Sequence, residues 1–178
     1  MPTASDPRPL TGEPLALDLL NTRWMHEGVT QDLLKDTEGL AVWLAANELD
    51  HVADEATLRH VLQARDALRA VVDGSLEDGA DRVDAVLAHG RLRPTLSPQG
   101  PGERVEFKDT AWGPAWLAAR NYLELLAAAP DRIRRCAHDS CILHFFDTSR
   151  NGTRRWCSMA ACGNRAKASR HYARTKES

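Results

Sequence analysis

The first 135 residues of this chain contain no cysteine, and all four of its cysteines fall between residues 136 and 162. A disulfide framework running through the whole molecule is therefore excluded. Long apolar runs are missing too. The richest stretches, around residues 15–20 and 123–129, fall far short of the roughly 20 residues that span a bilayer. Met1–Pro9 is polar and proline-rich and has no apolar stretch of the secretory kind. A cytoplasmic protein with no membrane partner is expected. The catalytic signatures are also lacking: there is no glycine-rich phosphate loop, no Gly-x-Ser-x-Gly elbow and no His-Glu-x-x-His pair. His26, His51, His60 and His89 are scattered, without partners at ligand spacing. No catalytic residue is assigned, and a non-enzymatic protein is expected.

What the chain does have is 178 residues with a hydrophobic fraction of 43%, sufficient for a packed core and against wholesale disorder. Its formal charge of -2 hides a strong asymmetry. Residues 132–178 carry eleven Lys/Arg against Asp139, Asp147 and Glu177, a net +8, whereas the preceding 131 carry twelve against twenty-two, a net −10. Such a split predicts two modules, 1–130 and 131–178, the second seeking an anionic partner.

Helical periodicity dominates the first module. Leu15, Leu19 and Leu20 follow Pro14 at near-helical spacing, and Thr37 is placed to cap a helix bearing Leu40, Trp43 and Leu44. From about Asp54 to Val72, Leu58, Val61, Leu62, Arg65, Leu68 and Val72 mark one face, and Gly74 a stop. A further helix holds Val83, Val86 and Leu87. The prolines and glycines of 91–110 predict turns, with Arg93–Leu96 and Arg104–Phe107 as a small hairpin. Thr110 introduces a long helix to about Ala129, with Pro114 tolerated in its first turn. The fold class expected is mainly α. Asp18 and Asn21 are polar residues in an otherwise apolar segment; they either brace neighbouring backbone or line a ligand pocket.

The cysteines read Cys136-x4-Cys141, fifteen residues, then Cys157-x4-Cys162. Two short loops can set four thiolates tetrahedrally around Zn²⁺. An iron–sulfur cluster, which also takes four cysteinates, is the competing reading. Ile142–Phe146 and Thr153–Trp156 are expected as strands joined by the Ser149–Gly152 turn with its Asn-Gly signal, and a helix follows Cys162 to about Arg174. Knuckle, hairpin, knuckle, helix is the order of a treble-clef-like zinc module. So small a module needs its metal to be stable. Lys167, Arg170, His171 and Arg174 share one face of that helix, and Arg150, Arg154 and Arg155 add charge at the turn. Four thiolates and one Zn²⁺ contribute −2, leaving about +6 to meet phosphates. The alternative is a basic face that docks on the acidic first module or on a protein partner.

Arg154–Met159 followed by Cys162-Gly163-Asn164-Arg165 closely resembles the CGNR zinc-finger family, whose name spells those last four residues. The upstream Cys136-x4-Cys141, Phe145-Phe146-Asp147 and Ser149-Arg150 fit its pattern, and Leu15–Thr22 is similar to the opening of the ABATE domain that precedes this finger. The resemblance implies a bacterial, stress-responsive transcription regulator that binds DNA through the finger. Its helical domain would sense a small-molecule signal or form a homodimer. Within the motif, Trp156 can shield the metal, Gly163 can permit close approach to a sulfur or a positive φ, and Asn164 can bond nearby backbone. Arg165 can brace Asp147 or contact phosphate. A zinc or redox switch, in which oxidised thiolates release the metal, is the remaining alternative.

Overall fold

A computed structural model of the chain describes residues 6–165 and residue 167; Arg170, His171 and Arg174 lie outside the described residues. Five helices and three two-stranded antiparallel sheets are described, in the order α1 (Leu15–Leu20), β1 (Arg23–His26), β2 (Val29–Asp32), α2 (Thr37–Ala46), α3 (Glu55–Arg69), α4 (Leu76–Leu87), β3 (Gly90–Ser97), β4 (Gly100–Phe107), α5 (Gly113–Ala128), β5 (Ile133–Arg135) and β6 (His144–Phe146). No helix among the described residues is long and apolar enough to cross a membrane.

The short helix α1 is the hub. Ala16 through Leu20 are all buried, and α1 packs against α3, α5 and β6. Around it Trp43 of α2, Val61 and Leu68 of α3, and Val86 of α4 are sealed from solvent. Phe145 of β6 is equally sealed and belongs to this same core, so the cysteine segment is seated on the helices.

Asp18 does not face a ligand pocket. Its Oδ1 takes an ion pair from Arg8 at 2.7 Å, the indole N–H of Trp43 at 3.0 Å and the amide of Asn47 at 2.9 Å, joining the N-terminal segment, α1 and α2. Arg65 similarly grips Asp32 with two hydrogen bonds of 2.7 and 2.8 Å, tying α3 to the end of β2.

Several sequence expectations shift. Asp36, not Thr37, caps α2, its carboxylate accepting the Gly39 N–H at 2.9 Å. Gly39 is required there: a Cβ would stand 1.7 Å from the Leu33 carbonyl oxygen. Asp109 caps a 3-10 turn at Thr110–Trp112, and α5 starts only at Gly113. The hairpin foreseen at 93–107 is real but longer, with Gly90 paired to Phe107 and Ser97 to Gly100. The β1–β2 hairpin has no counterpart among the sequence expectations. Its turn is Glu27-Gly28, both at positive φ (49° and 79°), a conformation that Gly tolerates and Glu rarely signals. Trp112 lies sandwiched between the imidazoles of His60 and His89, with ring centroids 3.8 and 3.5 Å away, pinning α3 to the root of β3.

Candidate zinc centre and nucleic-acid interface

β5 delivers Cys136 at its end, and the loop back to β6 carries Cys141. The Cys136 N–H bonds the Leu143 carbonyl at 2.9 Å and the Cys141 N–H bonds His138 at 2.8 Å, which curls the loop into a knuckle. The hairpin of this module is thus β5–β6, flanking the first cysteine pair. The strand expected at 153–156 is absent because other groups take its backbone bonds. Asp147, itself buried, accepts the N–H groups of Ser149 (2.9 Å) and Arg154 (3.0 Å), and the Arg155 carbonyl accepts Ala137 N–H at 2.8 Å. A hydrogen bond from the Ser149 side chain above all, then the Ser149 and Arg154 N–H groups and the nearby Arg134 charge, hold the Asp147 carboxyl below its ordinary range against its desolvation. The turn at Ser149–Gly152 forms as expected, with Gly152 at φ 61°.

The second knuckle is set by Ser158, whose hydroxyl accepts the Ala161 N–H at 3.0 Å, and by a wide turn, Met159–Gly163, closed by Gly163 N–H on the Ser158 carbonyl. Helical backbone continues at Asn164 and Arg165. Gly163 does lie against a sulfur, but that of Met159: a Cβ would sit 2.7 Å from its Sδ.

All four cysteines are buried and their sulfurs lie within 4.8 Å of one another, Cys141 to Cys157 at 3.8 Å and Cys157 to Cys162 at 3.6 Å. A tetrahedron with Zn–S bonds of about 2.3 Å has sulfur–sulfur edges of about 3.8 Å, so the cage suits a single ion. An iron–sulfur cluster interposes several irons and bridging sulfides and needs a wider cage. Without a cation the four sulfurs do not ionise together: hydrogen bonds from the neighbouring thiols of Cys141 and Cys157 lower Cys136, while the bond to Cys136 pushes Cys141 up to about 12 and raises Cys157. Four thiolates packed this closely require a cation, and Zn²⁺ is the cofactor these residues hold.

Around the cage, the Cys157 N–H points at Cys136 Sγ (3.4 Å) and Arg165 Nη2 at Cys162 Sγ (3.5 Å). Arg165 thus braces the metal cage, and Asp147 is braced by backbone and by Arg134 at 3.8 Å. Trp156 is half-buried against the core, with the Arg155 guanidinium 5.3 Å from its ring.

The nucleic-acid residues expected from sequence separate into groups. Arg150, Arg155, Arg165 and Lys167 are exposed. Arg154 is turned inward instead: its guanidinium lies 4.2 Å over the Phe145 ring, donates to the carbonyls of Trp156 and Cys157, and meets Glu13 Oε1 at 3.2 Å. Glu13 also accepts the Phe146 N–H at 2.9 Å. Arg170 and Arg174 are outside the described residues. Sequence reasoning missed Glu13, for which the chain offers no spacing signal; it named Asp147 but set it against Arg165, whereas the Ser149 and Arg154 backbone and Arg134 hold it.

The chain matches the family described as "Putative stress-induced transcription regulator" (ABATE) over residues 13–129, and the CGNR zinc finger over residues 132–175. No curated protein matches it.

Proposed function

Because the chain belongs to the ABATE family and carries a CGNR zinc finger, we propose that it is a non-enzymatic transcription regulator whose zinc module binds duplex DNA. The observation that carries the reading is the set of exposed cations Arg150, Arg155, Arg165 and Lys167 around a closed structural zinc site. A site with four buried cysteinates leaves no open coordination position for catalysis, so the metal's work is to fold the surface that bears these cations. Phosphates would be met by Lys167 and Arg150, and the exposed Arg155 would reach a base edge.

The helical domain would supply the signal or the dimer contact. Its cleft of about 390 Å³ between α4 and α5, lined mainly by Val71, Val83, Leu87, Tyr122 and Leu126 with Asp81 and Asp84 also on its wall, suits a small, largely apolar effector. One observation favours the docking alternative at a single position: Arg154 is engaged by Glu13 of the first module.

Selection of bound sequences from random duplex DNA by the zinc-loaded protein tests the reading. Enrichment of a defined site is expected. Absence of enrichment together with salt-insensitive retention would reject it.

A further inference from the structure

Within the acidic first module the β3–β4 ribbon, with the Lys108 that follows it, is a cationic segment. Residues 90–108 carry Arg91, Arg93, Arg104 and Lys108 against Glu103 and Glu106, a net +2, while the rest of residues 1–131 carries eight Lys/Arg against twenty Asp/Glu, a net −12. The register sorts the ribbon into two faces. Leu92, Pro94 and Leu96 alternate with Arg91, Arg93, Thr95 and Ser97, and the cross-strand partners are Val105, Glu103 and Pro101 on the first face, Glu106, Arg104, Gly102 and Gly100 on the second.

The first face turns toward α5. Phe107 meets Trp116 edge-on at 5.7 Å and Glu103 reaches Arg120 at 3.9 Å near its root, while Leu92, Pro94, Pro101 and, at 84%, Leu96 stay exposed along it. The second face looks outward. The Arg91 and Arg93 side chains are 76% and 50% exposed, and both lean on the one carboxylate of Glu106 at 2.8 and 2.6 Å. Arg104 and Lys108 are exposed as well. Beyond the arginines this face carries only Thr95, Ser97 and two glycines, which allow another backbone to come close.

The edges are closed to strand addition. Ser97–Gly100 closes a two-residue turn, so the pairs at 96–101 and 94–103 are the non-hydrogen-bonded ones, and the nitrogens of Pro94 and Pro101 fall on the outer edges where an added strand would need donors. The outward face is therefore the cationic surface that the ribbon offers a partner.

We propose that this face is a second nucleic-acid contact, with the ribbon laid along a groove of duplex DNA and Arg91, Arg93, Arg104 and Lys108 against its phosphates. The inference extends the nucleic-acid reading of the zinc module and rests on it for the class of partner. A two-stranded ribbon fits the roughly 12 Å major groove, and strands of eight residues reach about 26 Å along it. The charge sign in an otherwise acidic module is that of a surface selected for polyanions.

The test uses the full-length zinc-loaded protein and a fluorescent random-sequence duplex across a salt series. Three variants are compared with wild type: Arg91→Gln with Arg93→Gln and Arg104→Gln; Glu106→Gln alone; and Arg150→Gln with Arg155→Gln and Lys167→Gln. The ribbon triple is expected to bind about tenfold or more weakly and to flatten the slope of log affinity against log salt by about 0.9 for each phosphate it no longer neutralises. Glu106→Gln, which frees two arginines without removing a cation, is expected to tighten binding and steepen the slope. A ribbon triple and a Glu106→Gln variant that both bind like wild type, while the zinc-module triple loses binding, overturn the ribbon and leave the zinc-module reading standing. No binding by wild type overturns both. A ribbon triple that alters sedimentation and leaves DNA affinity unchanged overturns it in favour of an acidic protein surface.

Discussion

The side-chain amide of Asn21 exchanges two hydrogen bonds with the backbone of His144, donating to its carbonyl at 2.8 Å and accepting its N–H at 2.9 Å. Asn21 thus stands where a neighbouring strand would, and it stitches the end of α1 to β6 beside the zinc cage. Asn21→Asp removes the donor, leaves a buried carbonyl unpaired and places an anion there. A loss of about 1–3 kcal/mol is expected for the unsatisfied group alone. Urea unfolding measures it, and faster zinc transfer to a chelator should accompany it. Wild-type chelation kinetics in Asn21→Asp would show that the clamp does not support the cage.

The zinc prediction follows from the cage. One Zn²⁺ per chain bound only by sulfur, near 2.3 Å, should be seen by elemental analysis and X-ray absorption. Cys157→Ser should lose the metal. Most of the helical signal of residues 1–130 should survive, but melting should occur at a lower temperature, because Leu143 and Phe145 belong to the shared core. A metal-free variant that melts like wild type contradicts this.

The buried pair Arg8–Asp18 anchors the N-terminal segment to α1 with both side chains closed to solvent. Arg8→Ala leaves the carboxylate uncompensated and should cost about 3–5 kcal/mol, read as a shift of the denaturation midpoint. A change within about 0.5 kcal/mol, as at ordinary surface positions, would show that Asp18 finds other compensation.

Acid should weaken the fold through its histidines. Burial lowers the pKa of both His60 and His144 below 6.5; Arg59 and His89 push His60 further down, against Asp109 and Asp54, and Asp73 opposes the shift at His144. The folded state therefore binds fewer protons than the unfolded one just below that value. The stability is whole above about pH 6.5 and declines as the pH falls through the folded values. Unfolding at pH 7.5 and 5.5 should show the decline, and His60→Phe, which keeps the stack on Trp112, should make it shallower. An unchanged pH dependence in His60→Phe would remove His60 from the account.

Much of this was legible in the chain. Period-3.6 apolar positions marked α3 and α5, the prolines and glycines of 91–110 marked the ribbon, and Cys-x4-Cys twice marked the cage. Asn21 stood out as polar in an apolar segment, but its partner lies 123 residues on, and no local pattern encodes a contact of that range. The strand expected at 153–156 had the right residues and was overruled by Asp147, whose carboxylate captures the backbone it needed. The β1–β2 hairpin hid behind a turn without Asn-Gly or Asp-Gly. Arg154 looked like its neighbours Arg150 and Arg155, since a row of arginines does not say which one folds inward over Phe145.

That last distinction yields the final prediction. Arg154 sits on Phe145, holds the carbonyls of Trp156 and Cys157, and meets Glu13, so Arg154→Ala removes bonds inside the zinc module and its tie to the first one. Stability should fall by about 1.5–3 kcal/mol, the range of hydrogen bonds made by a charged group. Glu13→Gln, which weakens only the ion pair, should cost less. Arg155 is exposed beside Trp156 and has no such internal role, so Arg155→Ala should leave the melting temperature nearly unchanged. If Arg155 reads guanine, its loss should relax sequence preference by about 1–3 kcal/mol at one base pair. Lys167→Gln, if it meets phosphate, should weaken binding about equally for every sequence. Melting curves and binding to one selected and one scrambled duplex separate the three residues. Arg154→Ala with wild-type stability but altered base preference would return Arg154 to the DNA surface and overturn its inward placement.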